Sequence, residues 1–336
     1  MTTQEPLPDP SAWRGARALV LGASGFLGRW VARLLARAGA DLHVAVRDLE
    51  RGTRVLGAWD ARGNMHEVDL ATPGSLEDLL ERVEPAVVFD LAGYGVGRDE
   101  RDEAAAVRVN QRLPERLAAS FRRGRHPAWR GLEVVRAGSA LEYGEASGDL
   151  SERTPPRPTT LYGRTKLEGT LALARRCQAS GLRGITARLF TVFGPGERAG
   201  RLFPSIVAAA RSGSSVALSL GAQRRDFVCA EDAAEGLLRL ARSAAIPGEV
   251  VNLASGRLTS VRDFALATAR SLGIPEERLR FGDLPVSADE MQHDPVDVAR
   301  LRELCRWSPA PAVPAGIDRA LAWPDLLSVG AGGRSA

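Results

Sequence analysis

A chain of 336 residues, 44% hydrophobic and 26% charged, has globular composition and enough length for a large domain beside a smaller one. Its 45 basic and 41 acidic residues are interspersed, and the densest basic run, Arg122-Arg123-Gly124-Arg125, lacks interleaved aromatics, which favours a solvated surface over a nucleic-acid footprint. Three distant cysteines (Cys177, Cys229, Cys305) and four scattered histidines give neither a disulfide framework nor zinc spacing, and no apolar run reaches the roughly 18 residues that span a bilayer.

Met1 to Ser11 is Pro-rich and lacks a signal peptide's basic and apolar regions, so 1–14 is expected to be a disordered tail. The cysteine usage fits a reducing, cytoplasmic setting. Ala16–Leu21 reads as a buried parallel strand ending at Gly22. Phe26 to Ala38 carries Leu27, Val31, Leu34 and Leu35 on one side of a helix. Leu42–Val46 is a second strand, and Val68 to Leu70 closes a third. A helix over Pro73 to Val83 precedes a fourth strand, Ala86–Leu91. Glu103 to Phe121 is expected as one long helix despite Pro114. A fifth strand starts at Leu132–Val135 and ends near Ser139, Thr160 to Ala179 is helical, and Ile185–Leu189 is a sixth strand.

This alternation predicts an α/β fold with a doubly wound parallel Rossmann sheet over 15–190. Past Phe193, Gly and Pro punctuate the chain, with helices at Asp232–Ala241 and Val261–Leu272 and a strand at Val250–Leu253. A smaller, mainly substrate-binding domain is expected over 191–326, segments near 225–255 returning to the main sheet, and 327–336 as a flexible tail.

Gly22-x-x-Gly25-x-x-Gly28 falls between the first strand and the first helix. There glycines permit a tight turn, and the N–H groups around Ser24, Phe26 and Leu27 face a pyrophosphate at the positive end of the helix. About 20 residues on, where NAD sites place an acid for the ribose hydroxyls, stands Arg47, followed by Asp48. A guanidinium there pairs with a 2′-phosphate, which points to NADP. The alternative is a surface Arg47 with Asp48 holding NAD. Asp69-Leu70 sits where adenine is contacted, or is an ordinary strand end.

Tyr162-x-x-x-Lys166 puts both side chains on one face of a helix, and Lys166 is the only lysine in the chain. A compact ammonium can approach a ribose and a phenolate as a guanidinium does not. It is expected to lower the Tyr162 pKa toward the working pH, so that Tyr162 exchanges a proton with a carbonyl or alcohol oxygen. Ser139, at a strand end, can hydrogen-bond that oxygen.

On these residues, with Leu91-Ala92, Asn110, Ser139-Ala-Leu-Glu-Tyr143-Gly144, Arg188-Leu-Phe-x-x-Phe-Gly-Pro195-Gly196, Arg225-Asp226-Phe227, Asp232, Asp297 and Trp307-x-Pro309, the chain resembles the extended short-chain dehydrogenase/reductases, the NAD-dependent epimerase/dehydratase family. Ala92-Gly-Tyr-Gly95 and the stretch from Phe281 through Asp289-Glu290-Met291 look like the CDP-paratose synthase type of 4-ketoreductase. The resemblance implies a nucleotide-sugar substrate and a homodimer formed through the helices at Glu103–Phe121 and Thr160–Ala179. It implies cofactor contacts at Leu91, Ala92, Gly93, Asn110 and Phe190, besides Tyr162 and Lys166. It implies substrate contacts at Tyr94, Ser139, Ala140, Thr191, Arg201 and Arg225, the last holding phosphates unless it merely pairs with Asp226. Ala140-Leu141 stand where dehydratases carry Asp-Glu, which argues against 4,6-dehydration. Thr191 and Ser287 replace residues that hold phosphates in relatives. Three functions follow: an NADPH-dependent 4-ketoreductase, an NAD-dependent 4-epimerase using the same residues, or a non-enzymatic dinucleotide sensor, against which the Tyr/Lys pair argues.

Overall fold

The computed structural model describes residues 10–95, 97, 100–122, 129–145, 148–286, 290–310 and 312–323. The strands are β1 (Arg17–Leu21), β2 (Asp41–Val46), β3 (Asn64–Glu67), β4 (Val87–Asp90), β5 (Val134–Ser139), β6 (Gly184–Leu189), β7 (Thr191–Phe193), β8 (Val216–Leu218), β9 (Arg224–Cys229), β10 (Glu249–Leu253), β11 (Leu258–Ser260) and β12 (Leu279–Phe281). The helices are α1 (Phe26–Arg37), α2 (Leu49–Gly57), α3 (Ser75–Val83), α4 (Glu103–Ala106), α5 (Leu113–Ser120), α6 (Leu161–Ser180), α7 (Leu202–Ser212), α8 (Ala230–Ala241), α9 (Val261–Ser271), α10 (Ala299–Cys305) and α11 (Val313–Leu321).

Seven strands form one sheet in the order β10-β6-β5-β4-β1-β2-β3, every neighbouring pair parallel. Helices cover both faces, so the central strands β1 and β4 bury both sides and read as apolar runs, while the edge strand β3 stays polar and partly exposed. Alternation then sorts β1: Ala18 and Val20 join the core containing α1 and α8 residues, while Leu19 and Leu21 join that of α3 and α5. The strand order reverses between β1 and β4, which leaves a crevice beyond their carboxyl ends. The expected doubly wound sheet is therefore present. β10 lies in it beside β6, whereas β9, in the same 225–255 region, belongs to a separate sheet.

The remaining chain builds a three-stranded sheet, β11-β9-β7, and a parallel pair, β12-β8. Its core is aromatic: Phe193 meets Phe264 edge-on with centroids 4.9 Å apart, and Phe227 stacks on Phe264 at 4.1 Å. Trp30, Trp59 and Trp323 form a second aromatic cluster with centroids 4.5–4.8 Å apart, and the Trp30 indole N–H donates to Pro195 O, two residues beyond Phe193.

Four local expectations need correction. Trp13 is buried against Phe89 and Trp129, so ordered structure starts inside the segment expected as a tail. The third strand ends at Glu67; Val68 makes one last bond to Val46 O, and Asp69-Leu70 lie in the following loop. Helix α2 was not anticipated; two glycines dilute its pattern, yet the Asp48 carboxylate caps its N-terminus by accepting from Arg51 N at 2.8 Å. The long helix expected over Glu103 to Phe121 is broken by a π-turn, Val107–Arg112. Pro114 explains the break, because it has no N–H to give the Asn110 carbonyl one turn back. The 327–336 segment, Ser287, and Arg123 with Arg125 lie outside the described residues. No helix among the described residues is long and apolar enough to cross a membrane.

Candidate active site

The crevice between β1 and β4 is shaped by glycine. Gly22 has φ +72°, and a Cβ there would meet Ala92 N at 2.9 Å. A Cβ on Gly28 would stand 2.1 Å from Gly22 O, so only glycine lets α1 begin this close to the strand. Gly25 is the α1 N-cap without a side-chain cap, which leaves the first N–H groups of the helix for an anion. Ser24, Phe26 and Leu27 lie in this turn and are half-buried. The cradle fits a dinucleotide pyrophosphate: the glycines let the turn pack tightly and leave the uncapped N–H groups of α1 for an anion.

At the end of β2, Arg47 is exposed. Asp48, the alternative ribose acid, is exposed and engages the α2 cap through one carboxylate oxygen, Oδ1. Arg51 follows in α2, and Arg29 is close by, its side chain donating to Gly25 O and Ser24 O. Burial, with Arg51 adding repulsion, lowers the Arg29 pKa to about 10. The sequence reading did not single out Arg29, whose guanidinium is held at the glycine turn. Asp69 is exposed and accepts from Ala71 N, while Leu70 O accepts from Arg116.

Leu91, Ala92 and Gly93 follow β4 directly, and a Cβ on Gly93 would be 3.5 Å from Lys166 Nζ. Asn110, in the π-turn, is fully buried. Its Oδ1 accepts from Tyr94 N at 3.0 Å, and its Nδ2 donates to Tyr94 O at 2.8 Å and Thr165 Oγ1 at 3.0 Å. Its amide is spent on bracing the loop at Tyr94 and on Thr165. The Tyr94 hydroxyl accepts from Asp102 N.

Ser139 ends β5 and caps the short turn Ala140–Glu142; its Oγ accepts from Leu141 N, and the Glu142 carboxylate accepts from Ser139 N. Tyr162 lies in the first turn of α6, capped by Thr160. One turn on, the buried Lys166 donates to Ala137 O at 3.0 Å and Ala92 O at 3.4 Å. Its Nζ is 5.9 Å from the Tyr162 ring centroid. The ammonium thus joins β4, β5 and α6 beneath the crevice.

Here the expectation that Lys166 draws the Tyr162 pKa down to the working pH is not met. Withdrawal from water disfavours phenolate and pushes Tyr162 up to about 12, with Arg136 and Arg201 opposing. Burial and the adjacent Arg136 lower Lys166 to about 8, while Asp90 and Glu142 work in the other direction. At neutral pH the site holds a phenol and an ammonium.

Of the other expected substrate residues, Thr191 lies on β7, Arg225 on β9 and Arg201 at the start of α7. Phe190, between β6 and β7, meets the His293 ring at 5.6 Å, and Thr191 opens β7. Arg201 pairs with Glu197 at 3.3 Å. Arg225 is gripped in two-pronged fashion by Glu290, Nε to Oε1 at 2.7 Å and Nη2 to Oε2 at 2.5 Å. The alternative pairing of Arg225 with Asp226 is overturned: buried Asp226 accepts instead from the N–H groups of Ser255, Gly256 and Arg257. Asp232 pairs with Arg319, and Asp297 accepts from Ala299 N, so these two motif residues brace the fold.

The profile of the NAD dependent epimerase/dehydratase family matches residues 18–254. The chain is 31% identical over 306 residues to a dTDP-6-deoxy-L-talose 4-dehydrogenase (NAD(P)(+)) of Kitasatospora kifunensis, covering 88% of this chain and 91% of that one. It is 32% identical over 158 residues to a probable dTDP-4,6-dihydroxy-2-methyloxan-3-one 4-ketoreductase of Streptomyces antibioticus, covering 47% of this chain and 46% of the other. Among solved structures it is similar to MoeE5 in complex with UDP-glucuronic acid and NAD, with TM-score 0.74, 25% identity, and coverage of 90% and 96%. The glycine cradle, the Tyr162/Lys166 pair and these matches agree: the chain belongs to the NAD dependent epimerase/dehydratase family and is an NAD(P)-dependent enzyme of the extended short-chain dehydrogenase/reductase type.

Proposed function

We propose that the enzyme reduces the keto group, at C4, of a nucleotide-linked deoxysugar with NADPH. The observation that carries this reading is the Asp48 cap. With one oxygen of that carboxylate held by α2, the exposed Arg47 at the end of β2 would face the adenosine ribose, a guanidinium suited to a 2′-phosphate. An NADP-preferring enzyme exchanges its cofactor, as net reduction requires. Relatives that act at C4 of dTDP-linked sugars support the substrate class.

When bound, the nicotinamide supplies the hydride. Gly22, Gly25, Gly28 and the start of α1 would hold the pyrophosphate, and Lys166, held by Ala137 O and Ala92 O, would meet the ribose. Tyr162, kept protonated by its surroundings, gives its proton to the carbonyl oxygen as charge develops there. Ser139 polarises the same oxygen through its hydroxyl proton.

Calorimetric titration with NADPH and NADH, on wild type and Arg47→Asp, tests this. Wild type is expected to prefer NADPH by about tenfold or more, the worth of one charge-assisted pair of roughly 1.5–3 kcal/mol. Arg47→Asp is expected to erase that preference. Preference for NADH, or a dinucleotide that copurifies and does not exchange, would instead favour the 4-epimerase.

A further inference from the structure

Behind Lys166 lies a second pair of charges that no role above uses. Arg136 in β5 and Asp90 at the end of β4 are 1% and 2% exposed. Arg136 Nε and Asp90 Oδ2 stand 3.6 Å apart, and neither Arg136 Nε nor Asp90 Oδ1 has a hydrogen-bond partner. Such a pair is a poor source of stability, because desolvation offsets its attraction.

The other guanidinium nitrogens show what the pair holds. Arg136 Nη2 donates to Asn110 O at 2.9 Å and Lys166 O at 3.2 Å, and Nη1 donates to Thr170 Oγ1 at 3.0 Å. The Asn110 carbonyl is the one Pro114 cannot serve. Gly169 makes room: a Cβ there would be 2.2 Å from Asn110 O and 2.5 Å from Arg136 Nη2. Arg136 therefore sits where the π-turn, α6 and β5 meet. Ala137, next to it, supplies the carbonyl that receives the Lys166 ammonium.

We propose that Asp90 and Arg136 are a positioning pair for Lys166: Arg136 ties the π-turn to α6 through their carbonyls, and the two opposed charges govern how firmly the ammonium keeps its proton. The charged groups facing Lys166 are Arg136 from β5, Asp90 from β4 and Glu142 from the turn after β5, with Tyr162 on its own helix. Arg136 repels the ammonium proton, while Asp90 and Glu142 retain it. Deleting the Arg136 charge leaves Asp90 facing Lys166 and raises its proton affinity; deleting the Asp90 charge lowers it.

The proposal rests on the Tyr162/Lys166 reading of the site, but its test needs no substrate. Protein labelled with 13C at lysine Cε gives one side-chain signal, since Lys166 is the only lysine. Its titration midpoint is expected to move up by about one pH unit or more in Arg136→Gln, a tenfold change in proton affinity, and down by a similar amount in Asp90→Asn. Circular dichroism establishes that the variants fold, and if Arg136→Gln does not, Asp90→Asn alone decides. Unmoved midpoints in folded protein, or shifts of the same sign in both variants, would overturn the proposal. Failure of the underlying site reading would appear elsewhere, as full turnover in Tyr162→Phe.

Discussion

Tyr162→Phe is expected to lower kcat for ketone reduction by roughly 10²–10⁴-fold, the usual contribution of a positioned general acid. The substitution removes one hydroxyl and leaves the ring, which lies against Gly95, and the α6 cap at Thr160 in place. NADPH affinity and thermal midpoint should therefore stay close to wild type, so the loss falls on kcat and not on cofactor binding. Steady-state kinetics with a nucleotide-linked 4-keto sugar, beside a calorimetric NADPH titration, checks both halves. Retained turnover would remove Tyr162 from the chemistry. Because Tyr162 is held protonated up to about 12, the acidic form persists through the neutral range. The alkaline limb of activity is then expected to follow Lys166, which gives up its proton as pH rises through about 8.

The second large effect is expected at Gly28. In Gly28→Ala the new methyl would stand 2.1 Å from Gly22 O and 2.8 Å from Ala23 Cα, both backbone atoms that cannot rotate away. The start of α1 must move outward from β1. Overpacking of this kind costs roughly 1–3 kcal/mol in stability. The displaced helix also takes its N–H groups from the pyrophosphate, so dinucleotide binding is expected to fall at least tenfold. Chemical denaturation measures the first effect and NADPH titration the second. A variant binding NADPH like wild type would mean that the cofactor does not use this turn.

What the sequence revealed follows from distance along the chain. Gly22 to Gly28 and Tyr162 to Lys166 are local patterns, each read within a single turn or loop. The parallel sheet was legible because burial on both faces writes apolar runs into β1, β4 and β6. Asp90–Arg136 and Arg225–Glu290 join residues far apart in sequence, and nothing local marks either pair. Helix α2 was hidden by Gly52 and Gly57, though Asp48 was a legible cap. The π-turn carried its signal in Pro114, which the sequence reading took as a blemish on a regular helix. The Lys166–Tyr162 electrostatics were misjudged because spacing shows neighbours and not the withdrawal of water.

The strand order has a consequence for how the molecule is made. β6 gains its outer neighbour only from β10, and the Trp30–Trp59 contact is completed by Trp323. Parallel pairing over such separations makes folding slow, since loop closure precedes its reward. On the ribosome the nascent chain carries an unpaired β6 edge and an uncovered indole face until these late segments emerge. Aggregation during synthesis, more than loss of equilibrium stability, is thus the hazard this topology has to survive.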